Sequence, residues 1–298
     1  MSKYDFLMQV KESLKQRREL KGSVIEGNVY VRNNDTECYG VTICRDGVNV
    51  SPIFYVDRFY DAYCQKKMTI DEAVRIIVDH FETIKDTRKE TLDLTLGFDE
   101  VKDRITYRLI SAEKNKRYLE SIPYIPFLDL AIIFIIVHNI DESGLESIRI
   151  NKELMDAWGV GTKELLEIAK ENTRQLFPAK IEPLTKVMGR FLQMDEEMIQ
   201  DSELASPMLL LSNEQDVYGA TALVYDGEAE RIGEELDEDY YVIPSSVHEV
   251  LILPESEADD PDTINDIIRQ INREHLGSVD ILSDRSYYYC RKEKRFYF

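Results

Sequence analysis

Seven consecutive apolar residues, Ala131-Ile132-Ile133-Phe134-Ile135-Ile136-Val137, constrain the fold more than any other stretch of this chain. A run that is apolar at every position has no wet face, so it reads as a strand covered on both sides. Extended back to Phe127, it predicts a central strand over residues 127–137, interrupted at Asp129. As a helix it is far too short to cross a bilayer, which takes about 20 apolar residues.

The elements predicted around this strand alternate irregularly. Ser2 with Asp5 caps a first helix bearing Phe6, Leu7, Val10 and Leu14, and Gly22 is its expected stop. Residues 24–31 and 39–56 read as strands broken by turns at Asn33-Asn34-Asp35 and Asp46-Gly47. Thr69 with Glu72 caps a helix whose face is Ala73, Ile76, Ile77, His80, Phe81 and Ile84. Further strands are expected at 104–111, 208–211, 240–243, 247–253, 287–290 and 295–298. Further helices are expected at 115–121, at 151–176 in two pieces, at 183–198, at 220–236 and from Asp260-Pro261 onward. There is no regular strand-helix-strand repeat, so the expected class is α+β, a mixed or antiparallel sheet with helices packed on it. An N-terminal α/β portion over 1–95 and a larger C-terminal portion over 96–298 are the expected subdomains.

Charge narrows the partners. The net charge is −20, and residues 151–298 supply −17 of it with 15 Lys+Arg against 32 Asp+Glu. Such a field repels nucleic-acid phosphate and anionic lipid, so direct binding to nucleic acid or membrane is not expected. The main basic cluster, Lys11, Lys15, Arg17, Arg18 and Lys21, sits where it complements the end of the first helix. Residues 228–262 carry 13 Asp+Glu against one Arg. That array could imitate a phosphate backbone, as an acidic DNA-mimic inhibitor does, or could simply be a solvated face.

Cys38, Cys44, Cys64 and Cys290 form no CxxC pair and lack histidines at metal-ligand spacing, so neither a metal nor a cofactor is expected. The N-terminus lacks the basic and apolar regions of an export signal, which points to a cytoplasmic protein with reduced thiols.

One corner carries candidate chemistry. Ser245, Ser246, His248 and Glu249 lie between two strand-like runs, and Ser245 or Ser246 with His248 and Asp284 would make a hydrolase triad. No Gly-x-Ser-x-Gly elbow accompanies it. The alternative is a Pro-Ser-Ser turn whose hydroxyls satisfy backbone amides, with His248 half-exposed on a strand. His80 reads as a hydrogen-bonded core histidine, while His138 ends a strand and His275 a helix. Gly159-Val160-Gly161-Thr162-Lys163 lacks phosphate-loop spacing, and Thr162 reads as a helix cap. Phe54, Tyr55, Phe59, Tyr60 and Tyr63 read as core packing, with a recognition surface as the alternative.

Several segments taken together resemble a known family: 51–56, 105–110, 126–132, 166–173, 218–221, 243–254 and 282–284. They are collinear over most of the chain, which is similar to an uncharacterised bacterial family known only as a domain of unknown function. Ser111 and Arg174 depart from that family's Asn and Pro. The resemblance implies no activity and transfers no site residue. The residues themselves favour a non-enzymatic binding or interaction protein with a protein or small-molecule partner, and a Ser/His/acid hydrolase is the rival.

Overall fold

Local capping and alternation build two compact units, Met1–Arg32 with Thr36–Leu96, and Asn33–Asp35 with Gly97–Phe298. The structure is a computed structural model and describes residues 1–44, 53–87, 97–141, 144–195, 198–199 and 206–298. The turn expected at Asp46-Gly47 lies outside the described residues.

In the first unit, helix α1 (Lys3–Lys15) opens with a reciprocal cap, in which Asp5 N–H donates to Ser2 Oγ and Ser2 N–H to the Asp5 carboxylate, both at 3.1 Å. Its apolar stripe, Phe6, Leu7, Val10 and Leu14, is fully buried. The helix stops at Lys15, before Gly22, and a 3-10 turn at Arg18–Leu20 follows. Strands β1 (Val24–Val31), β2 (Glu37–Cys44) and β3 (Ile53–Tyr55) form an antiparallel sheet in that order. Helices α2 (Asp57–Cys64) and α3 (Ile70–Thr87) complete the unit. Thr69 and Glu72 cap α3 reciprocally.

The buried face of α3 differs from the expected one. It comprises Ala73, Val74, Ile77, Val78 and Phe81, while Ile76 is 44% exposed. The valines draw the face round, and His80 falls on the solvent side with its ring edge-on to Phe54 at 5.8 Å. His80 is therefore no core histidine. Phe59, Tyr60 and Tyr63 pack against the core, the latter two on the Phe6 ring.

In the second unit, helix α4 (Phe98–Val101) leads into β4 (Ile105–Ser111), and α5 (Lys116–Glu120) into β5 (Tyr124–Phe127). The strand expected over 127–137 is in fact two. Leu128, at φ 54°, and Asp129 make the turn of a tight hairpin, and β6 (Leu130–Asp141) runs back against β5 with Phe127 opposite Leu130. Asp129 is the turn rather than an interruption, because its carboxylate and carbonyl are both held by neighbours: Ser283, Tyr287 and the Ala112 amide.

Residues 130–137 of β6 are buried on both faces, as an unbroken apolar run requires. β4 occupies one edge of β6, and β5 and β7 (Gly144–Arg149) lie end to end along the other. Beyond these, α6 (Lys152–Trp158) is capped by Asn151 and closed by Gly159 in the left-handed conformation. Helix α7 (Thr162–Leu176) begins after Gly161, so Thr162 is its first residue rather than its cap. The outer edge of β4 is covered by hydroxyls, since Tyr107 N–H donates to Thr173 Oγ1 and Leu109 N–H to Thr221 Oγ1, both at 3.1 Å.

The remaining strands are β8 (Ala179–Pro183), β9 (Leu209–Asn213), β10 (Tyr240–Ile243), β11 (Val250–Pro254), β12 (Tyr287–Cys290) and β13 (Arg295–Tyr297). They form one antiparallel sheet in the order β13-β12-β10-β11-β9-β8. Interposed are α8 (Leu184–Leu192), a 3-10 turn at Gly219–Val224, α9 (Glu228–Leu236) and α10 (Pro261–Glu274). A strand thus replaces the start of the helix expected from Pro183, and β11 begins three residues later than expected. The class is α+β with antiparallel sheets.

Candidate functional site

The Pro244–Glu249 corner joins β10 to β11, and its polar groups face inward on one another. Ser246 Oγ donates to Glu249 Oε1 at 2.8 Å, and Ser245 Oγ donates to the same oxygen at 3.1 Å. Ser246 Oγ also accepts the His248 backbone N–H at 2.9 Å, a serine turn. Each hydroxyl has one proton, and both protons go to Glu249 rather than to the imidazole.

His248 turns the other way. Its Nδ1 accepts the Tyr218 backbone N–H at 3.3 Å, its ring stacks on Tyr218 at 5.5 Å and 14°, and its Nε2 lies 3.7 Å from Asp280. Because β11 starts only at Val250, His248 sits in the turn and not on a strand. Asp284 is held elsewhere, by Lys114 Nζ at 2.6 Å and Asn272 Nδ2 at 2.7 Å. Burial works against its charge, but those bonds prevail and hold its carboxyl below the usual range. The corner therefore brings the serines to Glu249 and His248 to Asp280 and Tyr218, and it does not bring Asp284 to either serine.

Tyr218 is a centre that the sequence did not single out. It has φ 52°, and its ring lies 4.3 Å from the Arg108 guanidinium of β4, a contact worth about 0.5–2 kcal/mol. The next residue must be glycine. A Cβ on Gly219 would stand 2.1 Å from Ser212 Oγ and 2.4 Å from the His248 carbonyl oxygen. A positively charged residue in the middle of the strand-like Ile105–Ile110 run, and a Tyr-Gly pair after a strand, were the available signals.

A second feature lies on the open edge of β8. Glu214 N–H donates to the Pro178 carbonyl and Leu184 N–H to the Met208 carbonyl, which fixes the even-numbered residues as the bonded positions of this antiparallel ladder. Ala179 and Ile181 therefore turn their N–H and C=O groups away from β9. Both residues line a shallow groove of ≈ 660 Å³, together with Lys180, Glu214, Glu228 and Arg231. Lys180 pairs with Glu182 and Asp216, and Arg231 with Glu228 and Glu235, leaving Glu214 as the lining charge with no ion pair among the described residues. Ala179-Lys180-Ile181-Glu182 alternates apolar and charged residues, but over only four positions before Pro183, too short a run to mark an edge strand against the helix expected from Pro183.

The acidic segment is largely occupied internally. Glu238 accepts from Ser256, Asp239 from the Arg291 amide and the Tyr288 hydroxyl, whose oxygen also lies 3.1 Å from Glu255, and Asp260 caps α10. Among the described residues no cluster of three or more His, Cys, Asp or Glu could hold a metal ion. Among them, too, no helix is long and apolar enough to cross a membrane.

No curated protein and no solved structure matches the chain. The family model of the family of unknown function DUF5688 matches residues 3–291, from α1 to the end of β12, and the chain belongs to that family.

Proposed function

We propose that the second unit is a cytoplasmic polypeptide-binding module without catalytic chemistry of its own, and that it takes an extended, basic segment of a partner along the open edge of β8. The observation that carries this reading is the parity of the β8–β9 ladder, which turns the backbone groups of Ala179 and Ile181 outward at two residues that line the groove. An added strand gains affinity from such main-chain bonds and specificity from the side chains beside it. Glu214, in the half of the chain that carries −17, favours Lys or Arg at alternate positions of the incoming strand. Short length, Lys180 and Pro183 are what a solitary edge uses against self-association, and they leave room for a selected partner. The hydrolase alternative needs a serine proton directed at His248, and both serine protons are directed at Glu249.

The test is selection of a random-peptide library on the immobilised full chain. Enrichment of extended sequences with alternating Lys or Arg is expected. Their binding should be lost on N-methylating alternate peptide amides and in Ile181→Pro, which removes an outward N–H without touching the β9 ladder. Enriched peptides that bind Ile181→Pro as well as they bind wild type would sink the proposal, as would a library that yields none.

A further inference from the structure

Four side-chain atoms among the described residues are buried without a hydrogen-bond partner, and two of them, Thr106 Oγ1 and Arg108 Nε, belong to β4. Residues two apart on a strand share a face, so both donors point to the same side of the sheet. Native proteins seldom leave a buried donor unpaired, and such a group calls for an absent water or ion. A guanidinium makes the demand sharper, because it has five N–H groups and no acceptor.

Arg108 has no carboxylate in ion-pair contact among the described residues. Burial acts against its charge, and Tyr218 and Tyr118 act for it, with the net effect upward, so it remains a cation. Tyr118, itself buried, also carries the Arg149 guanidinium over its ring at 4.5 Å. Register puts Arg149 on the same sheet face as Thr106, since both lie opposite Ile135. Arg149 is exposed, and no carboxylate pairs with it among the described residues. Tyr118, which also hydrogen-bonds the Arg108 guanidinium, thus links the exposed Arg149 to the buried one. A cavity of ≈ 10 Å³, room for about one oxygen, lies against Arg108, Tyr218 and Ile135, the residue opposite both Thr106 and Arg149.

We propose that Arg108, Thr106 and Arg149 bind the oxyanion end of a small ligand, a carboxylate or a phosphate, with one oxygen seated at the two orphaned donors and the rest of the group at Arg149. Its two guanidiniums are donor-only and carry two positive charges, and the Thr106 hydroxyl can donate beside them, the chemistry that selects an oxyanion over a neutral amide. It is separate from the β8 groove and does not depend on peptide binding there.

The experiment is calorimetric titration of the full chain with inorganic phosphate, with acetate, and with acetamide as the uncharged control. Saturable binding of at least one anion is expected, with acetamide silent, and the anion that binds identifies the source chemistry. Arg149→Gln, at an exposed position, should fold and weaken binding about tenfold. Arg108→Lys keeps a charge but loses the fork, and should weaken it further; if that variant fails to fold, Arg149→Gln alone decides. Absence of saturable heat from both anions on folded wild-type protein would overturn the proposal, and so would Arg149→Gln binding as wild type does.

Discussion

Tyr287 donates its hydroxyl to Asp129 Oδ1 at 2.6 Å, joining the start of β12 to the β5–β6 turn across 158 residues of sequence. Ser283 fills the other oxygen at 2.7 Å. Both partners are buried, and burial, reinforced by the Asp129 charge, pushes the Tyr287 phenol well above its ordinary value. The bond ties the six-stranded sheet to the hairpin of the smaller one. Tyr287→Phe keeps the ring and leaves Asp129 one donor short, so a loss of about 1–3 kcal/mol is expected. Urea denaturation should show a lowered midpoint with an unchanged slope.

Gly219 is a second point of rigidity. Its backbone presses on Ser212 Oγ, the Asn213 amide and the His248 carbonyl, none of which is the free end of a flexible side chain. Gly219→Ala forces β9 and the Pro244–Glu249 corner apart, at an expected cost of about 1–3 kcal/mol. The same displacement should break the Tyr218–His248 stack, read as a changed His248 imidazole shift in NMR alongside the lowered stability.

How far these features could be read in advance depended on whether their cause was local. Caps such as Ser2 with Asp5, Thr69 with Glu72, and Asp260 with Pro261 are settled within four residues, and each stands where the sequence puts it. The β5–β6 hairpin was hidden because Asp129 is held by Ser283 and Tyr287, far along the chain. His80 was misassigned because Val74 and Val78 compete for the same helix face. At the candidate site, a Pro-Ser-Ser turn with a hydroxyl on a backbone amide was legible and holds for Ser246, whereas the convergence of both hydroxyls on Glu249 was not. The Arg108–Tyr218–His248 stack, drawn from three distant segments, was not.

Acid should weaken the β8 region through Glu182. Arg190 holds this carboxylate with two bonds, Nη1 to Oε1 at 2.7 Å and Nη2 to Oε2 at 2.8 Å. They push its pKa from the usual 4.5 down to about 2, with Lys180 adding to the effect against burial. A depressed folded value contributes stability that is full above 4.5 and is lost as pH falls through about 2. Arg190 is half exposed, so the contribution is about 1 kcal/mol or less. Urea midpoints followed down that range should fall less steeply in Glu182→Gln than in wild type. Parallel curves would show that the pair adds nothing.

The outer edge of β4 makes a prediction about protection rather than overall stability alone. Among the described residues Tyr107 and Leu109 have no neighbouring strand on that side, and their amides are satisfied by the hydroxyls of Thr173 and Thr221. Both threonines are buried, at 1% and 2% exposure, so water cannot easily replace a lost hydroxyl. Thr221→Val preserves shape and removes only the acceptor, which leaves the Leu109 amide unpaired at a cost of about 1–3 kcal/mol. Hydrogen exchange at Leu109 should accelerate more than exchange at Tyr107, whose acceptor is intact, and Thr173→Val should reverse the order. Equal acceleration at the two amides in either variant would mean that β4 opens as a unit, with the threonines incidental to its protection.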